Sequence, residues 1–539
     1  MQAPESSRLD NDGGRIQAQR GPSTPVAASL SAAAAALVVI IGGLFAHRQN
    51  VWIDETTQLN GITMGTGNML SWLLGDQSHV NGVPPDRNPP LSYFFGQAWS
   101  MIFGTDPHAM RWMGIIAVAI AAALLTWALC RRVGLLAAAT CIATFALVPQ
   151  ISTLAAEIRP YPLMVLFASL AWIAFASIVS HRKEALRRQW LAFGASCLLA
   201  SYTHFFGLLM TGGLLVGLLV DAWIHRKPMR LPIRWGGAVL LLCTMALPFA
   251  SQAAHISGST RAVHYAEVVG RTGRLLVRLF LSPSVATSSL ASILLVAAFG
   301  LLGVVAFRVP LHRPMVRAIS AALIVPFALC ICTALVTPAF DALAPHYNAW
   351  MLPGISIAAA FGAHALGKAR PKLAWTAVIG MALVNGLGSY RLISSDHFTH
   401  GPHDAIMQTL ALARTGRTAI VLDETKEWGF VYFPLRYDLG ENPPVYLAST
   451  SVGANLHRVQ PDATVSMDFL KTLDHVLLVR ARSLQTSEIA TEIKGRPIRL
   501  ADSLLLDRFR SDPDWREIGM LRHVSFVSAK GNLFERINH

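Results

Sequence analysis

Charged residues are scarce in this chain, and acidic residues are the scarcest among them. Asp, Glu, Lys and Arg make up only 14% of the 539 residues, with 31 acidic against 45 basic side chains. The chain is 53% hydrophobic and its mean hydropathy is +0.44, which excludes an ordinary soluble protein. Because apolar stretches of about twenty residues recur along the sequence, we predict an integral membrane protein.

Cysteines are few, and the sequence shows no internal repeat. The six cysteines lie in or at the ends of apolar segments and none follows residue 390, so the polar C-terminal part contains no disulfide. This distribution leaves the redox compartment open. The net charge of +14 does not indicate nucleic acid, because the basic residues fall in short clusters between apolar runs, as topology signals do.

The apolar stretches predict eleven transmembrane helices in a membrane domain of residues 26–390. Residues 1–25 are polar and are predicted to form a disordered cytoplasmic tail. The run 27–46 is long for a signal-peptide core and has no clean small-x-small cleavage site before His47, so we interpret it as a retained first helix. The ten further spans are predicted at about 111–130, 133–149, 161–180, 189–203, 206–224, 235–253, 286–307, 317–337, 349–367 and 373–390.

The basic residues orient these spans. With the tail inside, the inner segments hold 19 Lys and Arg residues, and the outer loops before residue 391 hold 8, as the positive-inside rule requires. The apolar stretch 91–104 is only 14 residues long, and counting it as a span would place every later basic cluster outside. We therefore predict an interfacial or re-entrant helix there, within a first outer loop of 47–110.

The chain turns polar after the last predicted span. Residues 418–423 and 475–480 have the continuous apolar pattern of buried strands, and 404–413 has the pattern of a helix. Residues 391–539 are therefore predicted to form a small extracytoplasmic α/β domain.

Two adjacent acids, Asp54 and Glu55, mark the first outer loop of this acid-poor chain. A carboxylate held at a membrane surface can take a proton from a reacting hydroxyl, and we interpret Asp54 as a catalytic base. The alternative is that the pair stabilises the start of an outer helix, because helix N-termini favour negative charge.

Other polar residues fall on the same predicted face, which indicates an outward-facing active site. Each also has a structural explanation: an ion pair for Glu157 and Arg159, an ordinary interfacial position for His204, and an amphipathic helix on anionic headgroups for Arg271 and its neighbours. The complete set on this face is Asp54, Glu55, Arg87, Arg111, Glu157, Arg159, Tyr202, His204, Arg271, Arg274, Arg278, His346 and Tyr347.

The order of these motifs resembles that of the large GT-C membrane glycosyltransferases that use polyprenyl-phosphate sugars. These include the protein O-mannosyltransferases and the aminoarabinose transferases of lipid A. The likeness covers the layout of residues 27–390 and is strongest in 50–210. Two positions depart from the family pattern: Asn88 stands where His or Lys is common, and His346 stands in place of the Arg of a late Arg-Tyr pair. The matching stretches are Trp52-Ile-Asp-Glu55, Asn88-Pro-Pro-Leu-Ser-Tyr93, Phe103-Gly104 with Arg111, Glu157-Ile-Arg-Pro-Tyr161 and Tyr202-Thr-His204.

The resemblance implies a GT-C fold and an inverting sugar transfer on the outer face of the cytoplasmic (inner) membrane. The donor would be a polyprenyl-phosphate sugar and the acceptor a hydroxyl of a lipid, glycan or protein. The family's first-loop acid falls on Asp54, as base, and its second-loop acid on Glu157, as a helper or acceptor-positioning group. The residues expected to bind substrate are Glu55, Arg87, Arg111, Arg159, Tyr161, His204, Arg271, His346 and Tyr347.

Cofactor use and two other functions stay open at this point. A divalent metal ion is possible, because four residues of suitable type could converge on one, although no ligand spacing demands it. These residues are Asp54, Glu55, Glu157 and His204. A transporter or flippase of lipid-linked sugars is one alternative, although such proteins often carry internal repeats and midplane charges, which this chain lacks. The other alternative is a non-catalytic protein of envelope assembly.

Overall fold

The structure is a computed structural model, and most of the residues that it describes are helical. The predicted fold class, a polytopic helical membrane protein with a small C-terminal α/β domain, is confirmed. The described residues are 22–76, 88–180, 187–249, 289–308, 313–336, 342–395, 401–413, 415–423, 429–439, 442–448, 456–458, 464–465, 467–483, 503–524, 527–537 and the single positions 268, 270, 272, 275 and 279.

Helices are found where the sequence predicts the membrane domain. The first helix begins at Thr24, slightly earlier than expected, while residues 1–21 of the predicted tail lie outside the described residues. The helices are α1 (Thr24–Ala46), α2 (Ile53–Thr63), α3 (Thr66–Leu73), α4 (Leu91–Phe103), α5 (Pro107–Arg132), α6 (Leu135–Cys141, continued by a π-helical turn Ile142–Ala146), α7 (Pro149–Ala155), α8 (Tyr161–Ser180), α9 (Arg187–Thr203), α10 (Phe205–Ile224), α11 (Arg230–Thr244), α12 (Ser289–Arg308), α13 (Arg313–Val336), α14 (Met351–Ala369) and α15 (Pro371–Ser394).

Each of the eleven predicted spans coincides with one of these helices or with the α6–α7 pair. Within the described ranges, seven helices are long and apolar enough to cross a membrane. There are eight if α6 and α7, which are bent by 59° at their junction, form one span. The full number of eleven stays a prediction, as does the interfacial position of α4, whose 13 residues are too few for a straight span.

Local sequence signals explain where the central helix α5 begins and how its neighbour fits against it. The Asp106 carboxylate accepts a hydrogen bond from the Ala109 N–H (3.0 Å), and Pro107 occupies the first turn, where its missing N–H costs nothing. A Cβ added at Gly114 would lie 2.6 Å from the carbonyl oxygen of Ala155, so this glycine allows α7 to lie against α5.

The C-terminal domain is a seven-stranded mixed sheet with helices on both faces. Its strand order is β4-β3-β2-β1-β5-β7-β6; β2, β1 and β5 are parallel, and the remaining pairs are antiparallel. The elements are α16 (His403–Leu410), β1 (Thr418–Leu422), α17 (Gly429–Leu439), β2 (Val445–Ala448), β3 (Leu456–Arg458), β4 (Thr464–Val465), α18 (Met467–Leu470), β5 (His475–Ser483), α19 (Leu504–Ser511), β6 (Trp515–His523) and β7 (Val527–Arg536).

The two strands predicted from sequence, β1 and β5, are neighbours at the centre of this sheet. Ile420 pairs with Leu477, and both contribute to the apolar core on one face. Ala419 and Val476 belong to the core on the other face. Because both faces of these strands are covered, their sequences are continuously apolar rather than alternating.

The C-terminal domain contacts the first outer loop directly. The Tyr437 hydroxyl, on α17, donates a hydrogen bond to the carbonyl of Thr105 (3.1 Å). The buried Asn50 amide donates to the carbonyl of Gly401 (3.0 Å), so the chain just before α2 is tied to the start of this domain. Helix α2 is therefore held between the membrane helices and the C-terminal domain.

The sidedness of the domain is a testable prediction. A periplasm-specific reporter fused after His539 should be active, and a cytoplasm-specific one should not. The basic residues place the Lys- and Arg-rich loops between the membrane helices inside, which leaves the chain after α15 outside. Matched fusions of a cytoplasm-specific and a periplasm-specific reporter at the same position provide the control. Activity of the cytoplasmic reporter alone would invert the orientation, and with it the face on which Asp54 lies.

Candidate active site

The acid pair lies at the N-terminus of α2, and its two members have different environments. Both carboxylates are in the first turn of α2, where the helix dipole favours negative charge. This is the helix-start position that the sequence analysis gave as the alternative explanation of the pair. The Asp54 side chain is 43% exposed, whereas Glu55 is 1% exposed. Successive helical residues point about 100° apart, which places Asp54 toward solvent and Glu55 toward the protein.

Glu55 forms a buried clamp with Arg111 of α5. Its Oε2 accepts from Arg111 Nη2 (2.8 Å), and its Oε1 accepts from the backbone N–H of Ile158 (2.9 Å). The Arg111 guanidinium, also 1% exposed, donates to the carbonyls of Gln49 (2.7 Å) and Asn50 (3.0 Å). The clamp therefore joins three segments: the start of α2 with the chain just before it, the N-terminal part of α5, and the loop that follows α7.

The outer loop has its own small hydrophobic core, which shares Ile158 with this clamp. Leu59, Trp72 and Tyr93, from α2, α3 and α4, are fully buried in it together with the side chain of Ile158. Because the Ile158 side chain is buried here and its N–H binds Glu55, the loop carrying Glu157 and Arg159 is fixed against the loop carrying Asp54.

Arg159 bridges Asp54 to the start of α8. Its Nη1 donates to the Asp54 carbonyl oxygen (3.0 Å), and its Nη2 lies 3.7 Å from Asp54 Oδ2. The guanidinium carbon also lies 5.7 Å from the centre of the Tyr161 ring, a cation–π contact. A cation is thus held beside the accessible carboxylate.

Tyr161 in turn is the centre of an aromatic cluster formed by Tyr161, His204, Phe206, His346 and Tyr347. The ring centre of Tyr161 lies 5.3 Å from that of His204, 5.1 Å from that of His346 and 6.0 Å from that of Tyr347. Phe206 stacks on Tyr347 at 5.2 Å. Four residues that the sequence singled out separately therefore meet at one place, next to Arg159.

Two local features position this cluster. His204 caps α10, since its Nδ1 accepts from the Phe206 N–H (3.2 Å), and a Cβ at Gly207 would lie 2.3 Å from the Ala200 backbone. On the other side, the buried Asn348 amide donates to the carbonyls of Ala342 (2.8 Å) and Ala344 (3.1 Å) and shapes the turn that carries His346 and Tyr347.

Glu157 lies in the loop between α7 and α8, and the pKa of its carboxyl is raised to about 8. Burial is the largest cause, and the neighbouring negative charge of Glu55 and, more weakly, of Asp54 acts in the same direction. Arg159 and Arg111 lower the pKa but do not compensate for these effects. Glu157 is therefore mainly neutral at pH 7.

Some predicted site residues stay unplaced. Arg87 and Arg271, with its neighbours Arg274 and Arg278, lie outside the described residues. Across the part of the chain that is described, no group of three or more His, Cys, Asp or Glu side chains could hold a metal ion.

The sequence missed three members of this site. Phe206, Asn348 and the Ile158 N–H act through packing or hydrogen bonds, and none of them carries a charge that marks it in a single sequence. Ile158 lies inside the Glu157–Tyr161 motif, but the motif does not show that its backbone N–H is used. The signal available for Asn348 was a lone amide beside an apolar span. The signal for Phe206 was its place two residues after His204.

Comparison with known proteins matches one segment of the chain to a protein family. Residues 87–251 match the family model described as dolichyl-phosphate-mannose-protein mannosyltransferase. This segment contains Arg111, Glu157, Arg159, Tyr161 and His204. A search of curated protein sequences finds no match.

Solved structures of similar fold include ArnT from Cupriavidus metallidurans. The apo structure of ArnT aligns with a TM-score of 0.51 at 12% identity, over 93% of this chain and 97% of ArnT. The structure of the same protein bound to undecaprenyl phosphate aligns with a TM-score of 0.47 at 14% identity and with the same coverage. The resemblance expected from the sequence motifs is confirmed: the chain is a multi-pass membrane protein with the fold of ArnT, and its residues 87–251 match the dolichyl-phosphate-mannose-protein mannosyltransferase family model.

Proposed function

We propose that this protein transfers a sugar, with inversion, from a polyprenyl-phosphate donor to a hydroxyl acceptor on the outer face of the cytoplasmic membrane. The observation that carries the proposal is the position of Asp54. Its carboxylate is accessible, stands at the start of α2 and has Arg159 beside it, whereas Glu55 is fully buried. The match of residues 87–251 to a family named for a polyprenyl-phosphate sugar donor supports the substrate class.

In the proposed reaction, the acceptor hydroxyl attacks the anomeric carbon as the bond from that carbon to the phosphate oxygen breaks. Asp54 takes the hydroxyl proton, and polyprenyl phosphate leaves with its electron pair on oxygen. A phosphate is a good leaving group, so a general base contributes more than a strong acid would. A guanidinium near the departing oxygen stabilises its developing charge.

Arg159 is the described arginine that lies beside the accessible carboxylate, and we propose that it faces the donor phosphate. Arg87 and Arg271 remain candidates for the same phosphate. We propose that His346 and Tyr347, the half-buried members of the aromatic cluster, border the transferred sugar, since aromatic faces pack well against the apolar faces of a pyranose. Tyr161 and His204 are almost fully buried and support these two rings from within the protein.

Glu55 and Arg111 have a different proposed role from the one that the sequence suggested. The carboxylate and both terminal guanidinium nitrogens already bind protein partners, and both side chains are 1% exposed. We therefore propose that the pair positions Asp54 and the Glu157 loop and does not contact substrate.

Purified protein and a synthetic polyprenyl-phosphate sugar in liposomes test this function. The expected result is release of polyprenyl phosphate together with a glycosylated acceptor of inverted anomeric configuration. Movement of intact donor between leaflets without its cleavage would indicate a flippase. Neither release nor movement, with acceptor fractions from the envelope present, would favour the non-catalytic assembly role.

Glu157 gives the reaction a specific pH dependence. Because its raised pKa is about 8, the carboxyl is neutral and can donate a hydrogen bond below that pH, and it adds a further negative charge above it. We expect kcat/KM for the donor to fall as pH rises through about 8, since a phosphate must approach the site. By the same shift, the contribution of Glu157 to the stability of the folded state is fully present below its ordinary pKa of 4.5, falls progressively as pH rises from there, and is lost once pH has passed about 8.

The matched variant is Glu157→Gln, which keeps a neutral hydrogen-bond donor at all pH values. It should have intermediate activity at pH 7 and no loss around pH 8, as measured by kcat/KM profiles of both proteins. The same alkaline decline in wild type and variant would assign that decline to another group.

A further inference from the structure

A cleft opens at the end of the membrane domain opposite the candidate active site. It has a volume of about 110 Å³, lies between α5, α8 and α14, and has walls that include Leu125, Leu129, Ile173, Ala176 and Ile357. Arg132, the last residue of α5, lines it and is exposed. The cleft is therefore an apolar space with one guanidinium at its open end.

The length of α5 separates this cleft from the candidate active site. Arg111 and Arg132 are 21 positions apart on the same helix, which at 1.5 Å per residue is about 32 Å. This distance is close to the thickness of a bilayer's hydrocarbon core, about 30 Å. Arg132 thus lies at the opposite membrane surface, out of reach of a donor headgroup bound beside Asp54.

The Arg132 side chain is held in place by one hydrogen bond, which leaves other N–H groups of its guanidinium available. The Nη2 group of Arg132 donates to Ser177 Oγ (3.1 Å). Gln189 Nε2 donates to the same oxygen (2.7 Å) and so orients the Ser177 hydroxyl. The Nε and Nη1 groups of Arg132 have no acceptor among the residues that the structure describes. A planar guanidinium with N–H groups to spare matches a phosphate ester.

We propose that this cleft binds an anionic glycerophospholipid of the leaflet at this membrane surface. Part of one acyl chain occupies the cleft between α5, α8 and α14 while the rest of that chain stays in the bilayer, and the lipid phosphate accepts hydrogen bonds from Arg132. The apolar walls and the membrane setting select a lipid over a free phosphate ion. A basic residue at the end of an apolar cleft between transmembrane helices is the arrangement expected for an anionic headgroup.

The experiment uses the full-length protein, purified in a neutral detergent and depleted of lipid. Its thermal unfolding midpoint is measured during titration with phosphatidylglycerol, with phosphatidylcholine, or with inorganic phosphate. Native mass spectrometry of the same samples counts bound lipid. We expect phosphatidylglycerol to raise the midpoint and to bind about fivefold to tenfold more tightly than phosphatidylcholine, and inorganic phosphate to have no effect.

Two variants test the parts of the site separately. Arg132→Gln should remove the preference for phosphatidylglycerol, while Ala176→Leu, which fills the cleft, should weaken both lipids. Arg131→Gln is the matched control. Arg131 neighbours Arg132 and is also exposed, but it does not line the cleft and donates to the Pro22 carbonyl, so the preference should persist. Arg132→Lys, which retains the charge, should keep most of the preference and shows whether the position tolerates substitution.

Several results would overturn the proposal. If wild type and Arg132→Gln showed the same lipid preference, the guanidinium would not bind the headgroup. If inorganic phosphate raised the midpoint as much as the lipid does, the acyl chain would contribute nothing to binding. If Asp54→Asn abolished the lipid effect, the lipid would be bound at the active site instead. A failure of sugar transfer in every assay would leave the lipid measurements, and hence this proposal, unaffected.

Discussion

Protein carrying Asp54→Asn should lose transfer from a polyprenyl-phosphate sugar by roughly 10²–10⁴-fold, the usual cost of removing a general base. The amide keeps the size of the carboxylate and can still accept a hydrogen bond, but it does not take the acceptor's proton. Expression, folding and donor binding should be unchanged, because the Asp54 side chain is 43% exposed and Arg159 also binds the Asp54 backbone carbonyl.

The chain offers a matched control in the same outer region. Asp106 is an exposed acid that caps α5 through the Ala109 N–H, and asparagine is an equally good helix cap. Asp106→Asn should therefore retain nearly full turnover. The assay is transfer by purified variants, with donor binding measured separately on the same preparations. An Asp54→Asn protein that kept more than about a tenth of wild-type turnover, far above the range for a lost base, would show that Asp54 is not the base.

Arg111→Met should destabilise the protein strongly and affect donor binding only through that loss. It leaves the fully buried Glu55 carboxylate without its cationic partner, and removing one member of a buried ion pair costs about 3–5 kcal/mol. The carbonyls of Gln49 and Asn50 lose their donors as well. Thermal unfolding of the detergent-purified variant, together with donor KM on the fraction that remains folded, measures both effects.

Two comparisons separate the clamp from a substrate contact. Arg131→Met changes an exposed arginine at the other end of α5 and should shift the unfolding midpoint little. Glu55→Gln keeps one acceptor oxygen, which can serve either Arg111 or the Ile158 N–H but not both as the carboxylate does. It should still be milder than Arg111→Met, because Arg111 keeps the carbonyls of Gln49 and Asn50 as acceptors and no buried carboxylate is left without a cation. If Arg111→Met kept the wild-type midpoint but raised the donor KM, Arg111 would contact the donor, as the sequence first suggested.

The sequence was most informative where structure is set locally. The spans of α1, α5, α8 and α10 and the central strands β1 and β5 were predicted to within a few residues, because apolar runs long enough for a bilayer or a two-sided sheet core are written in consecutive residues. The predicted span began at about residue 111, whereas α5 begins at Pro107, where the local cap formed by Asp106 sets its start. The resemblance to polyprenyl-phosphate glycosyltransferases came from the order of short motifs along the chain.

The sequence by itself thus determined the membrane class, the α/β domain and the set of residues worth testing. Only the tertiary structure decided which of those residues are accessible to a substrate and which are buried in contacts that support the site. It exposed Asp54 and buried Glu55, because which side of α2 faces the protein depends on how α2 packs against its neighbours. It paired Arg111 with Glu55, and it brought Tyr161, His204 and Tyr347 into one cluster. These contacts join positions tens to hundreds of residues apart, and they form only when helices from different parts of the chain pack together.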